Sequence, residues 1–153
     1  MGIAALITWL IAAAGGFYLL AGWLSHGGVR QQQTRTTRFP APVIFGHFLL
    51  AATGLVVWIV YMAVGGKGLA WAGFIILLPV ALLGFTMFAR WIPVYRARAT
   101  VRPGDGPGTA VASPADATVP AERHLPVPAV FGHGAFAAAT LVLVLLTALG
   151  VGH

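Results

Sequence analysis

The sequence has no cysteine, a single lysine (Lys67) and only three acidic residues in 153 positions. Without cysteine there are no disulfides, no thiolate metal centres and no cysteine nucleophiles. The acids, Asp105, Asp116 and Glu122, all fall in one stretch of the chain. Hydrolytic triads and carboxylate-rich metal sites therefore lack material, and a zinc enzyme would lack ligands. Phosphate loops and dinucleotide fingerprints are also missing; Gly65-Gly66-Lys67-Gly68 reads as a tight connection between helices. Charged residues make up 8% of the chain, against roughly 25% in a soluble domain. Hydrophobic residues make up 59%, more than a soluble core of this size can hide, so lipid must cover part of the surface.

Four apolar, uncharged stretches account for that excess: Ile3–Leu24, Val43–Val64, Leu69–Ala89 and Pro128–Val151. Each can cross a hydrocarbon layer of about 30 Å as a helix rising about 1.5 Å per residue. The backbone must satisfy its own hydrogen bonds there. We expect one all-α membrane domain over 1–153, with helices at about 3–24, 43–64, 69–92 and 126–151. The first stretch reads as a span rather than a signal peptide, having no basic residue before it and no clear cleavage site after it.

The basic residues set the expected orientation. The first connection holds Arg30, Arg35 and Arg38; the third holds Arg90, Arg96, Arg98, Arg102 and Arg123; the second holds only Lys67. The positive-inside rule places connections one and three in the cytoplasm and both termini outside. The net charge of +6 is thereby explained without nucleic acid, and the lipid bilayer is the first expected partner. The bias to arginine, alanine, glycine and valine suggests a bacterial gene and hence the bacterial cytoplasmic (inner) membrane. Residues 99–121, rich in Gly, Pro, Ala, Ser and Thr, read as a flexible cytoplasmic linker. Tryptophans near helix ends read as interfacial anchors, with Trp58 inside the bundle.

The sequence also repeats itself. Phe39–Val56 (FPAPVIFGHFLLAATGLV) matches Leu125–Val142 (LPVPAVFGHGAFAAATLV) at an offset of 86. The shared core is Pro-x-Pro-x-x-Phe-Gly-His. Helices one and three match at an offset of 68, through Gly16-Phe17, Ala21 and Trp23 against Gly84-Phe85, Ala89 and Trp91. The expected fold is a four-transmembrane-helix bundle formed by tandem duplication of a two-helix hairpin, with a pseudo-two-fold axis along the membrane normal.

That symmetry puts His47 and His133 at equal depth on helices two and four. Gly46 and Gly132 precede them. Small residues follow on the same stripe at four and seven positions: Ala51 and Gly54, and Ala137 and Thr140. Two opposed imidazoles with little bulk beside them suit haem b, whose iron takes two axial imidazoles. Arg38, Arg90 and Arg123 are candidate cations for its propionates.

On these residues the chain resembles four-helix membrane cytochromes of the b type, in which histidines on different helices hold haem. The resemblance is one of architecture and ligand placement. It implies an electron-transfer protein with one bis-histidine site, His47 and His133 being the iron ligands. It further implies exchange of electrons with a quinol, a reductase or another membrane subunit. Homo-oligomerisation stays open. The alternative is a non-catalytic accessory subunit or scaffold whose histidines serve helix packing, since small residues at four-residue spacing also allow close helix approach. No catalytic residue is expected under either reading. His26 and His124 read as solvated residues at the membrane surface.

Overall fold

The computed structural model describes residues 1–99 and 119–151. Its described residues are helical, with four helices long and apolar enough to cross a membrane. These are α1 (Gly2–Ser25), α3 (Ala41–Val64), α4 (Lys67–Ala99) and α5 (Val127–Ala148); a short α2 (Gln31–Thr34) lies between the first two. A 3₁₀ turn, Ala121–His124, leads into α5. Most of the expected linker lies outside the described residues.

The repeated Pro-x-Pro motif starts two helices in the same way. Pro40 and Pro126 are the N-cap residues, in extended conformation with ψ of 129° and 130°. Pro42 and Pro128 sit in the first turn, where a missing N–H costs nothing. His47 and His133 therefore both fall on the seventh residue of their helix. Gly65 and Gly66, with φ of 74° and 99°, make the reversal between α3 and α4 that a residue with a Cβ would resist.

The bounds of α4 differ from the apolar stretch that marks it. The helix begins at Lys67 and continues through Pro93 to Ala99, beyond the expected end near residue 92. Hydropathy marks where lipid contact ends, and a helix can continue into water on its own hydrogen bonds. The other helices differ from expectation by a few residues at their ends.

Around the bundle the order is α1, α5, α4, α3. The most extensive packing is between α3 and α4 and between α1 and α5, so α3 and α5 face each other diagonally. Two buried clusters fill the interior. One holds Trp9, Trp58, Leu77, Val80 and Val144. The other, towards the arginine-rich end, holds Trp23, Phe39, Ile44, Trp91, Ala121 and Leu125. Trp9, Trp23 and Trp91 are thus core residues and not interfacial anchors, as is Trp58. Trp71 is exposed.

A polar lock closes the arginine-rich end. Glu122 is fully buried and accepts hydrogen bonds from the Thr37 hydroxyl (2.8 Å) and the Arg38 backbone N–H (2.6 Å). The Thr37 oxygen in turn accepts from Trp23 Nε1 and from the Phe39 backbone N–H, both at 3.2 Å. The Gln31 side chain donates to the Val119 carbonyl and accepts from the Ala121 N–H, at 2.9 and 2.8 Å. Residues 119–121, expected to belong to the linker, are therefore pinned to the first connection.

Candidate histidine site in the bundle

His47 and His133 meet across the α3–α5 diagonal, between the two buried clusters. Their ring centroids are 6.1 Å apart and their planes lie at 67°. Each imidazole is fixed by the helix beside it. His47 Nδ1 is 2.9 Å from the Val80 carbonyl of α4, and His133 Nδ1 is 2.8 Å from the Ala12 carbonyl of α1. A carbonyl can only accept, so each Nδ1 carries the proton and donates it. In the neutral ring the Nε2 lone pair is then left available.

Glycines make these contacts possible. Gly16 lies four residues after Ala12, and Gly84 four after Val80. A Cβ at Gly16 would stand 3.1 Å from His133 Cε1, and one at Gly84 the same distance from His47 Cε1. Gly15 also packs on His133. The carbonyl of residue i in a helix is screened by the side chain of residue i+4. With glycine there, an imidazole can reach a carbonyl that already accepts its own helical bond, using the second lone pair. The two halves of the site correspond at the repeat offsets of 68 and 86: Ala12 with Val80, Gly16 with Gly84, His47 with His133.

The other expected site residues divide. Gly54 is buried beneath Trp9 and Ile76 and leaves no free space. Thr140 is buried, and its hydroxyl, with one proton to give, lies 3.0 Å from Thr8 Oγ1 and 2.8 Å from the Phe136 carbonyl. Both positions are taken up in helix packing. Ala51 is half-buried, and Ala137 is exposed although His133 and the fully buried Val144 share its stripe. Gly46 faces Leu83, and nothing lies within 4 Å of where a Gly132 Cβ would be. Arg38, Arg90 and Arg123 are exposed at the arginine-rich end. Arg90 is committed there, with Nη1 3.0 Å from the Arg38 carbonyl.

The groups that fix the two imidazoles leave little trace in the sequence. In the sequence Gly16 and Gly84 stand out only as repeat matches. The carbonyls of Ala12 and Val80 have no sequence signal. His26 and His124, read as solvated, are exposed yet stacked, with centroids 4.0 Å apart and planes within 8°. His26 Nδ1 is also 2.7 Å from the Gly22 carbonyl.

Among the described residues, no three His, Cys, Asp or Glu side chains gather as a metal-binding group. Comparison with protein-family models, curated proteins and solved structures gives no match.

Proposed function

We propose that this protein is a haem b-binding membrane redox protein with one bis-histidine site, in which His47 and His133 hold the iron. The observation that carries the reading is the state of the two imidazoles. Both Nδ1 protons are committed to carbonyls of neighbouring helices, which leaves two Nε2 lone pairs on rings 6.1 Å apart. The Nδ1–H···O=C bond is the usual outer-shell device that fixes the tautomer and raises the basicity of a ligating histidine.

When bound, haem would supply reversible one-electron chemistry. The chain would supply the rest. Val80 and Ala12 orient the ligands, Gly16 and Gly84 keep the approach open, and the two tryptophan-rich clusters above and below keep water from the site. The chain itself would lie in the bacterial inner membrane with the arginine-rich end in the cytoplasm and both termini outside. Its two halves would descend from one duplicated hairpin. A quinol, a reductase or a further membrane subunit would exchange electrons with it near the arginine-rich end.

The same hydrogen bonds favour a second reading. Each histidine is satisfied by its carbonyl, so the pair would tie α3 to α4 and α5 to α1 in an accessory or scaffold protein. Absorption spectroscopy separates the two. Protein purified from haem-replete cells should show a sharp Soret band and a reducible α-band. His47→Ala and His133→Ala should each abolish the low-spin bis-histidine spectrum, while His26→Ala and His124→Ala should not. Colourless wild-type protein that takes up no added haem would leave the scaffold reading.

A further inference from the structure

Trp91 carries the one buried side-chain polar atom without a hydrogen-bond partner among the described residues, its indole Nε1. The residue is 1% exposed. An indole N–H is a donor only, and burying it without an acceptor incurs the full loss of its hydration. Trp23, the matching residue at the offset of 68, shows how that loss is normally avoided: its Nε1 donates to Thr37 Oγ1. The position matching Thr37 is Arg123, which offers no acceptor side chain. Phenylalanine would bring an aromatic ring, though a smaller one, with no donor to strand, so an indole at this position calls for an acceptor from elsewhere.

Its place in the bundle indicates what that acceptor serves. Trp91 lies seven residues along α4 from Gly84, the glycine against His47, or about 10 Å along the helix axis. Helical side chains lean towards the N-terminus, so the indole leans back towards the histidines. Its ring is 6.1 Å from that of Phe131, which stands two residues before His133 on α5. The indole is held by stacking on Tyr95, with centroids 5.1 Å apart. The indole, its N–H unpaired, is therefore held by its ring contacts between the level of the histidine pair and the arginine-rich end.

We infer that Trp91 Nε1 is the hydrogen-bond donor for a carboxylate carried by the ligand of the histidine pair. This rests on the haem reading above and adds to it. The porphyrin would sit with a propionate turned to the arginine-rich end, anchored by Trp91 and not only by surface arginines. An N–H bond to a carboxylate is charge-assisted, which is what makes one donor matter.

The test crosses one substitution with two ligands. The apo protein in detergent is titrated with iron protoporphyrin IX and with iron etioporphyrin, the same macrocycle bearing alkyl groups in place of carboxylates. Trp91→Phe keeps an aromatic ring and removes the donor. It should weaken binding of iron protoporphyrin IX roughly tenfold and leave iron etioporphyrin unchanged. The smaller ring leaves some space in the core, so iron etioporphyrin binding, and not apo stability, is the control for packing. Equal affinity of both proteins for iron protoporphyrin IX would overturn the inference and leave the histidine reading standing. So would an equal loss for both porphyrins, which would signal altered packing. Failure of the wild-type chain to bind either porphyrin would remove the histidine reading and this inference together.

Discussion

Replacing Thr37 by valine should destabilise the bundle by about 3 kcal/mol, although the two side chains have nearly the same shape. The hydroxyl is used completely: it donates to Glu122 Oε2 and accepts from Trp23 Nε1 and the Phe39 N–H. A methyl group in its place leaves two donors without an acceptor, one of them on an indole that is 1% exposed. Each orphaned group costs about 1–3 kcal/mol, and the lost bond to a carboxylate about 1.5–3 kcal/mol. Glu122 keeps the Arg38 N–H, and water at the end of the bundle can recover part of the loss, which brings the sum to about 3 kcal/mol. For a chain of this size that corresponds to a melting temperature lower by roughly 6–12 °C. Thermal melts in detergent, supported by reversible unfolding in mixed micelles, would measure it. Thr37→Ser keeps the oxygen and should lie within about 1 kcal/mol of wild type. A double-mutant cycle with Glu122→Gln should show coupling, because the two side chains share a bond. A Thr37→Val protein within about 0.5 kcal/mol of wild type would refute the network and the docking of residues 119–124 that depends on it.

The glycines beside the histidines should respond in matched fashion. Gly16→Ala and Gly84→Ala each put a Cβ 3.1 Å from an imidazole and should be tolerated with a small shift of the ring. Gly16→Leu and Gly84→Leu should displace the histidine from its carbonyl, seen as loss of the hydrogen-bonded Nδ1–H signal in NMR. Gly28→Ala should be severe, by about 3 kcal/mol or more, because its Cβ would fall 2.1 Å from Trp23 Cε2, inside a buried indole; thermal melts would check it. Reporter fusions at the C-terminus should be active only outside the cytoplasm, and cytoplasmic activity would overturn the orientation drawn from the arginines.

The four spans were legible because a bilayer demands long uncharged runs, and Ile3–Leu24 or Val43–Val64 could hardly be anything else. The ends were less so. The α4 helix passes Arg90, Arg96 and Pro93, since a helix needs its backbone bonds and not a lipid environment. The nearness of His47 and His133 was expected from two identical helix starts, each a Pro-x-Pro turn followed by the histidine at a fixed count. Their partners were not expected, because a carbonyl belongs to every residue and only the glycine above it makes one reachable. Glu122 stands just past the stretch read as a linker, and composition gives no sign of its burial. Its burial depends on Thr37 and Arg38, 85 and 84 positions away, contacts that no local window contains. The tryptophans misled for a related reason: Trp23 and Trp91 stand near helix ends, but the adjoining connections fold over them.

The pairing of α1 with α5 has a consequence for biogenesis. Helices enter the membrane in the order in which they are synthesised, and α1 enters first. Its principal packing partner enters last, and the Ala12 carbonyl receives His133 from 121 residues downstream. Until then α1 is held by its lesser contacts with α3 and by the Trp23 bond to Thr37, with Gly15 and Gly16 lacking the imidazole they pack on. The α3–α4 half, by contrast, joins neighbours in the sequence and can close early. The two imidazoles thus reach their places at different times, and the centre of the bundle stays accessible from the side until the final helix closes it.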